Sequence, residues 1–398
     1  MKSETQTSSS PICAFILTVF LSTCAFETAA LAQGQSGPPQ GQSGSSSQAQ
    51  SSPPSQKQNG PPKDQEEGFT ISPIPMIQPV TQTGGGLALA YRYHLNPQNK
   101  TSSSSSTAFG GFVTGNRSWG VGVFQKFYFK QDRWRARVAG SYADVRYNYF
   151  GIGTDAGDAG VSVLMKQKGF GTLGEMLYRF NGLWYGGAQY RFLETESSFR
   201  PNPQFNTSTI TPAQLDLRTA TLGPRVTRDS RSDSDYPREG SLVDLHIGLG
   251  GAGVGSQVNY QTYGLSYSKF FNVATGQVLA VRGASCFAAG NVPFYGQCLL
   301  SASENLRGYQ ASRYRDRAML ASQAEYRWEA WKNLGFVGFG GIGEVAPRIG
   351  EFTFGNVLPG GGVGVRYRIT KESHVNLRFD YAWGKDSHQA YFFIGEAF

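Results

Sequence analysis

A period of two residues runs through the segment Asn376-Leu377-Arg378-Phe379-Asp380-Tyr381-Ala382-Trp383, in which large apolar side chains alternate with polar or small ones. Successive side chains of an extended chain point to opposite faces, so this segment predicts a β-strand with one apolar and one polar face. The same alternation recurs over residues 87–95, 243–249 and 363–369. The distribution of these segments predicts an all-β protein.

The composition excludes several other fold classes. The 398 residues include 51 glycines, and aromatic and charged residues make up 13% and 16% of the chain. Glycine disfavours helix interiors, so this abundance argues against a helical or mixed α/β protein. Beyond the N-terminal region the sequence contains no run of about 18 apolar residues, which excludes a helical membrane protein.

The aromatic residues distinguish between the two remaining all-β architectures. A soluble sandwich buries its apolar face, whereas a transmembrane barrel turns that face towards lipid, borders it with aromatic residues and encloses a polar lumen. Here the apolar faces carry the aromatic residues Trp119, Trp134, Trp184, Trp328 and Trp383. We therefore favour a barrel over a sandwich.

The number of predicted strands agrees with a closed barrel. The alternation predicts sixteen strands, from 69–78 to 389–398, and an even number places both chain ends on one side of a membrane. The predicted fold is a sixteen-stranded antiparallel transmembrane β-barrel of the bacterial outer membrane. Pro73 and Pro75 each lack a backbone donor, so we expect a weakly paired seam between the first and last strands.

Residues 1–68 are predicted to lie outside the barrel. A short apolar run follows a lysine and precedes small residues, which predicts a secretory signal peptide over residues 1–32. Lipoprotein processing at Cys24 is the alternative. Residues 33–68 are rich in Gln, Ser, Pro and Gly, which predicts a disordered periplasmic linker before the barrel domain, residues 69–398.

Two cysteines follow the predicted signal peptide. Cys286 and Cys298 are an even pair in an exported chain, which predicts a disulfide between them. The four histidines and these two cysteines show no metal-ligand spacing. The sequence also contains no GxSxG, HExxH or Walker A motif. We therefore expect no metal, no cofactor and no enzymatic activity.

A four-residue motif lies in the longest predicted connection, 290–316, at the end of the barrel away from the chain ends. It reads Leu306-Arg307-Gly308-Tyr309, and five predicted strands follow it. Further short motifs stand along the chain in this order: Tyr149-Phe150-Gly151-Ile152-Gly153, Thr227-Arg228-Asp229 with Tyr236-Pro237, Glu325-Tyr326-Arg327, Gly364-Val365-Arg366-Tyr367 and Asp380-Tyr381-Ala382. Together they resemble the motifs of the BamA/TamA-like outer-membrane barrel superfamily, the bacterial surface-antigen domain.

The resemblance implies that this connection is extracellular loop six, which folds back into the lumen and is anchored there by Arg307. The family usually has an aspartate as a partner of this arginine, but Gly341 stands at that position here. A buried guanidinium requires a carboxylate or several acceptors. We therefore expect Glu325 to be the partner of Arg307, with Asp380 as the second candidate.

The end of the sequence carries a further similarity. Phe398 ends a predicted amphipathic strand, which resembles the recognition signal of outer-membrane barrels and implies a barrel-assembly machinery as the partner for insertion. Members of the superfamily also carry periplasmic polypeptide-transport-associated domains. Residues 33–68 offer only the predicted linker in their place.

The chain has a net charge of +8, and 33 basic and 23 acidic residues fall within 69–398. This excess of basic residues indicates which partners the barrel would favour. The arginines at predicted lumen-facing positions are Arg92, Arg135, Arg137, Arg191, Arg327, Arg366 and Arg378. A basic lumen favours anions in an open pore, and basic external residues favour outer-membrane lipid and lipopolysaccharide. Because these cations alternate along strands and form no patch, we expect no nucleic-acid partner.

Two functions remain open from the sequence. The resemblance implies a non-enzymatic barrel with a role in outer-membrane biogenesis or transport, which inserts or translocates a polypeptide or lipid substrate. The alternative is a passive anion-preferring pore that has kept the fold and lost this function.

Overall fold

The computed structural model describes residues 68–78, 82–95, 104–205, 210, 212–233, 236–300, 304–368 and 375–398. The predicted signal peptide and all but the last residue of the predicted linker lie outside these residues. The barrel strands are β1 (Gly68–Gln78), β2 (Gln82–Tyr93), β3 (Ser105–Thr114), β4 (Trp119–Phe129), β5 (Trp134–Tyr149), β6 (Val163–Asn181), β7 (Trp184–Phe199), β8 (Asp216–Asp229), β9 (Gly240–Gly250), β10 (Tyr260–Ala274), β11 (Gln277–Gly290), β14 (Ala318–Glu329), β15 (Leu334–Ala346), β16 (Leu358–Arg368), β17 (Asn376–Gly384) and β18 (Ser387–Ile394).

These sixteen strands form one closed antiparallel barrel in which each strand pairs with its neighbour in the chain, and this confirms the predicted fold. The connection between β11 and β14, residues 291–317, is called loop six below. It contains the two short strands β12 (Cys298–Leu299) and β13 (Arg315–Asp316), which pair with each other. One α-helix, α1 (Thr154–Ala159), lies in the connection between β5 and β6. Single turns of 3-10 helix cover Pro212–Gln214, Ala252–Val254, Phe294–Gly296 and Ile349–Glu351.

The period-two pattern explains which faces the strands present. The outer face carries large apolar side chains such as Phe109, Val363 and Trp383, which are 55%, 57% and 51% exposed. The inner face carries buried polar residues, among them Arg366 and Asp380. Exposed apolar area on this scale is unfavourable in water and favourable against lipid. No helix within the described residues is long and apolar enough to cross a membrane.

The last strand is shorter than the sequence predicted. We expected a strand over 389–398, but β18 ends at Ile394. Gly395 has a φ of +91°, a conformation that glycine adopts readily and that ends the extended chain. Because of this turn, Glu396 and Phe398 leave the barrel wall, and their positions are described with the site below.

The barrel closes between β1 and β18. The register pairs every residue of β1 with β2, including Pro73 with Leu87. On the other side, the pairing between β1 and β18 among the described residues is that of Ile77 with Phe392. Proline has no backbone N–H and cannot donate to either neighbour. The seam of the barrel is therefore thinly paired.

The longest strands of the barrel are β5, β6 and β7, with 16, 19 and 16 residues. Their inner faces bury apolar residues such as Tyr147, Tyr149 and Met165. These residues form the largest apolar cluster together with Phe294 and Tyr295 of loop six. Loop six is consequently packed against this wall inside the barrel.

Candidate functional site

The four-residue motif of loop six is buried within the barrel. Leu306, Arg307 and Tyr309 are each 0% exposed. Gly308 has a φ of +116°, and a Cβ at this position would lie 2.6 Å from the backbone oxygen of Trp383. Glycine alone tolerates both this conformation and this close approach. The motif therefore reaches the barrel wall because a glycine separates its arginine from its tyrosine.

The guanidinium of Arg307 is bound by carboxylates from two different strands. Its Nη1 donates to Oδ2 of Asp380 on β17 at 2.6 Å, and its Nη2 donates to Oε2 of Glu325 on β14 at 2.5 Å. The plane of the guanidinium also lies over the ring of Phe339, 3.4 Å from its centroid. The structure thus brings Arg307 together with both carboxylates that were expected from the sequence. Arg307 binds both of them at the same time.

A third acceptor for Arg307 was not nominated from the sequence. Oε1 of Gln323 lies 3.2 Å from Nε of Arg307. Gln323 is the register partner of Gly341, the residue that stands where the family usually has an aspartate. Gln323 precedes Glu325 by two positions on the same strand, so the period of two already placed both side chains on one face. That spacing is the signal by which Gln323 could have been found.

Glu396 is a further member of the site that sequence reasoning missed. Its Oε2 accepts from Nε of Arg366 at 2.7 Å, and its Oε1 accepts from Nδ2 of Asn376 at 2.7 Å. Arg366 in turn donates from Nη1 to Oδ1 of Asp380 at 2.6 Å. The sequence placed Glu396 in a strand, whereas the turn at Gly395 directs it towards the lumen.

Arg327 connects the same network to the end of the chain. Its Nε donates to Oε1 of Glu325 at 2.7 Å, and its Nη2 donates to the backbone oxygen of Phe398 at 2.9 Å. The guanidinium also lies 5.8 Å from the ring centroid of Tyr236 and 5.7 Å from that of Phe398. Phe398 is therefore a contact of a lumenal arginine and lies beyond the last strand.

The network has a clear energetic consequence. Glu325 and Asp380 are 0% exposed, and Arg327, Arg366 and Arg378 are at most 3% exposed. Buried ions are costly to desolvate, so the net gain from such pairs is small, but removing one partner leaves a buried charge uncompensated. The network therefore fixes the position of loop six more than it adds to overall stability.

Tyr309 docks against the start of β16 and the end of β17. Its hydroxyl donates to the backbone oxygen of Pro359 and accepts from the backbone N–H of Lys385, the latter at 2.9 Å. A Cβ at Gly384 would lie 2.5 Å from the Tyr309 ring. The glycine at the end of β17 therefore makes room for the aromatic ring of the motif.

A disulfide holds the beginning of loop six. Cys286 on β11 and Cys298 on β12 are bonded, with their Cα atoms 5.7 Å apart. Residue 298 also pairs with Asp316 in the ribbon of β12 and β13. The disulfide thus joins the barrel wall directly to the ribbon at the base of loop six.

The carboxylate of Asp158 connects three separate elements, which are the helix α1, loop six and the turn between β17 and β18. Asp158 of α1 accepts from the Tyr314 hydroxyl at 2.8 Å and from Nζ of Lys385 at 2.6 Å. Tyr314 belongs to loop six, and Lys385 lies in the turn between β17 and β18. Although partial burial opposes ionisation, the hydrogen bonds from Lys385 and Tyr314 lower the pKa of Asp158. We call this group the Asp158 clamp.

Two other sequence motifs meet loop six as well. Tyr149 stacks edge-on against Phe294, with ring centroids 5.3 Å apart, and lies near the guanidinium of Arg315. The backbone N–H of Gly153 donates to the oxygen of Arg315 at 2.8 Å. Motifs that are scattered along the sequence therefore converge on loop six from several sides.

A second group of charges lies on the opposite wall, on β5 to β9. Glu175 accepts from Arg137 and Arg225, and Asp244 also accepts from Arg225. These ion pairs tie neighbouring strands of this wall to each other. Among the described residues, no group of three or more His, Cys, Asp or Glu side chains could hold a metal ion.

Comparison with known proteins identifies the family. A model described as the Omp85 superfamily domain matches residues 90–398. The chain belongs to the Omp85 superfamily. A comparison with curated proteins finds no match.

Solved structures share the fold of this Omp85 barrel at low sequence identity. BamA from Haemophilus ducreyi, in a structure lacking POTRA domains 1-3, is 15% identical with a TM-score of 0.55, over 83% of this chain and 69% of that one. CdiB from Acinetobacter baumannii is 14% identical with a TM-score of 0.50, over 82% of this chain and 59% of that one. CdiB from Escherichia coli is 11% identical with a TM-score of 0.56, over 83% and 63%.

Membership of the Omp85 superfamily places the barrel in the bacterial outer membrane. The apolar outer face therefore meets lipid. Gly68 and Phe398 lie at one end of the barrel, and loop six, α1 and the turn at Lys385 lie at the other end.

Proposed function

We propose that this Omp85 barrel inserts or translocates a polypeptide or lipid substrate at the outer membrane, without enzymatic chemistry. In this proposal Arg307 holds loop six in the lumen, and the seam between β1 and β18 opens to release the substrate sideways. Outer-membrane lipid, lipopolysaccharide and, for insertion of the chain itself, a barrel-assembly machinery are the expected partners.

The burial of Arg307 between Glu325 and Asp380 is the observation that carries the proposal. A passive pore does not require a loop that is held inside its lumen by buried charges on two strands. Buried ion pairs add little net stability, so their value here lies in fixing a specific arrangement. We infer that the loop is held in the lumen as part of the function.

The seam supports the second half of the proposal. Ile77 and Phe392 are the residues that pair across it among the described positions, and Pro73 lies on the same strand. Fewer backbone hydrogen bonds must break at such a seam than between any two fully paired strands. Opening there is therefore the least costly way to expose the lumen to the bilayer.

Single-channel conductance of the Arg307→Ala protein in planar bilayers tests the anchoring role. We expect a higher mean conductance or more frequent transitions than in the wild type, because the loop loses its attachment to both strands. Arg348→Ala is the matched control, since the Arg348 side chain is 82% exposed in a neighbouring extracellular connection. Traces identical to the wild type would refute the anchoring role.

A cysteine pair at Ile77 and Phe392 tests the seam, because these positions are register partners. Oxidation should abolish substrate insertion or translocation and reduction should restore it. A pair at Ile71 and Leu89, register partners on β1 and β2, is the control that leaves the seam free. Unchanged activity in the oxidised seam variant would exclude lateral opening.

The alternative function is a passive anion-preferring pore. The basic residues of the lumen, such as Arg137 and Arg378, favour it. A steady, large and anion-selective conductance of the wild-type protein would support this alternative over the translocation proposal.

A further inference from the structure

The connection between β15 and β16, residues 347–357, exposes two large apolar side chains. Ile349 is 63% exposed and Phe354 is 75% exposed. The side chains of Arg348 and Glu351 on either side of Ile349 are 82% and 44% exposed. Single exposed apolar residues are common on protein surfaces, but two large ones on one short segment indicate a contact surface.

Glu344, near the end of β15, shows on which side of the barrel wall this connection lies. The period of two places Glu344 on the same face as Phe336 and Ile342, which are 37% and 54% exposed on the outside of the barrel. Val345, on the opposite face, packs with loop six inside the barrel. Glu344 is nevertheless only 4% exposed, and Ala346 on the same outer face is 3% exposed. The outer face is therefore covered at the end of β15.

The connection itself supplies this cover. The backbone N–H of Thr353 donates to Oε1 of Glu344 at 3.1 Å, and the backbone N–H of Phe354 donates to Oε2 at 3.1 Å. On the neighbouring strand β14, Ala318 is the register partner of Ala346 and is 1% exposed. The connection thus turns back over the outer ends of β14 and β15, on the side of the wall that faces lipid.

The exposure of Phe354 is imposed by the fold. Its φ is +55°, a conformation that is uncommon for a large side chain. Such a conformation persists only where the surroundings hold it, and here both oxygens of the buried Glu344 bind the backbone at this point. An aromatic ring that is held outwards in this way is stabilised if apolar material covers it.

The position of the connection relative to the lipid-facing surface identifies that material. Ile342 is the last exposed apolar residue along the outer face of β15, two positions before Glu344. Trp383 of β17 lies in one row with Gly361 and Gly340 across the register and is 51% exposed. Tryptophan near the end of a lipid-facing strand is typical of the level where the hydrocarbon core meets the head groups. The connection therefore continues the rim of the surface that meets lipid.

We propose that the connection between β15 and β16 inserts Ile349 and Phe354 into the acyl chains of the membrane leaflet at the loop-six end of the barrel. Glu344 holds the segment against the outer wall, while Arg348 and Glu351 remain in water. This contact depends on the location of the barrel in the outer membrane and not on its role in translocation, so it stands if the proposed function fails.

Nitroxide spin labels on the full chain in phosphatidylethanolamine–phosphatidylglycerol vesicles test the proposal. The labelled variants are Ile349→Cys and Phe354→Cys. Cys286 and Cys298 are bonded to each other, so replacing Cys13 and Cys24 by serine leaves the new cysteine as the single site for the label. Collision rates are measured with molecular oxygen, which concentrates in hydrocarbon, and with a neutral nickel chelate, which stays in water.

Two reference positions define the expected result. Val363→Cys reports the outer face of β16, where the native side chain is 57% exposed, and Gln204→Cys reports an exposed position in the connection between β7 and β8. We expect the ratio of oxygen to nickel collisions at both test positions to be close to that at Val363 and severalfold above that at Gln204. A ratio equal to that at Gln204 would overturn the proposal. Low collision rates with both reagents would mean that protein, such as a second copy of the chain, covers the segment, which also overturns it.

Glu344→Gln in the Phe354→Cys chain tests how the segment is held. The amide keeps one acceptor oxygen instead of two, so the collision ratio at position 354 should fall severalfold towards that at Gln204. Glu351→Gln, which changes an exposed carboxylate of the same connection, is the matched control and should leave the ratio unchanged. An unchanged ratio in the Glu344 variant would overturn the role assigned to Glu344. If that variant does not fold, the label at Ile349 in the otherwise unaltered chain still decides whether the segment lies in lipid.

Discussion

Arg307 and Asp380 are 73 positions apart in the sequence, yet Nη1 of the arginine lies 2.6 Å from Oδ2 of the aspartate inside the barrel. This contact links the centre of loop six to β17, the strand next to the seam strand β18. Any movement of β17 and β18 relative to loop six must therefore break a buried ion pair.

Glu325→Gln should destabilise the barrel, because Arg307 and Arg327 both donate to this carboxylate. Breaking a buried pair on one side costs about 3–5 kcal/mol. The free energy of unfolding, measured by urea titration in detergent micelles, should fall by this amount. Glu304→Gln is the control, since Glu304 is partly exposed and its pair with Arg282 is 3.4 Å long. Exposed pairs contribute at most about 1 kcal/mol, so equal losses in the two variants would contradict the interpretation.

Gly384→Ala should displace Tyr309 from its position, because the new Cβ would lie 2.5 Å from the Tyr309 ring. Overpacking of this kind costs about 1–3 kcal/mol and should shorten the lifetime of the closed state in single-channel recordings. Gly338→Ala adds a methyl group with nothing within 4 Å and should behave like the wild type. A wild-type closed lifetime in the Gly384 variant would show that the docking of Tyr309 is unimportant for closure.

Reduction of the Cys286–Cys298 disulfide should loosen the base of loop six. The bonded cysteines have a sequence separation of 12, and disulfides typically stabilise by about 2–4 kcal/mol. Unfolding in detergent with and without reductant measures the effect, and a variant with serine at both positions should be insensitive to reductant. If the reduced wild type is as stable as the oxidised one, the disulfide has no structural role.

The Asp158 clamp should depend on pH only in the acidic range. The pKa of Asp158 is lowered from its usual 3.8 by the hydrogen bonds from Lys385 and Tyr314, so the folded state binds this proton less readily than the unfolded state. The contribution of the clamp is therefore complete above about pH 4 and is lost as the pH falls through the lowered pKa. Amide hydrogen exchange of α1 should stay slow between pH 7 and pH 5 after correction for intrinsic rates. Asp158→Asn should raise the exchange of α1 at neutral pH, and equal protection in both proteins would argue against the clamp.

Much of this protein could be predicted from residues that are close in sequence. The alternation at 376–383 gives the strand, its two faces and, when counted along the chain, the sixteen strands of the barrel. The resemblance of the motif around Arg307 to a known family also led to the expectation that Glu325 and Asp380 are its partners. Each of these features depends on local backbone geometry or on a short ordered set of residue types.

Only the tertiary structure decided how these parts meet. Gln323 joins the partners of Arg307 because loop six crosses the lumen at that level, and Asp158 joins α1, loop six and the turn at Lys385. Glu396 enters the network because Gly395 turns the chain out of the last strand. These contacts depend on barrel closure, on the register between strands far apart in sequence and on the path of a long loop. A period of two residues determines which face a side chain is on, but it carries no information about which distant side chain lies opposite.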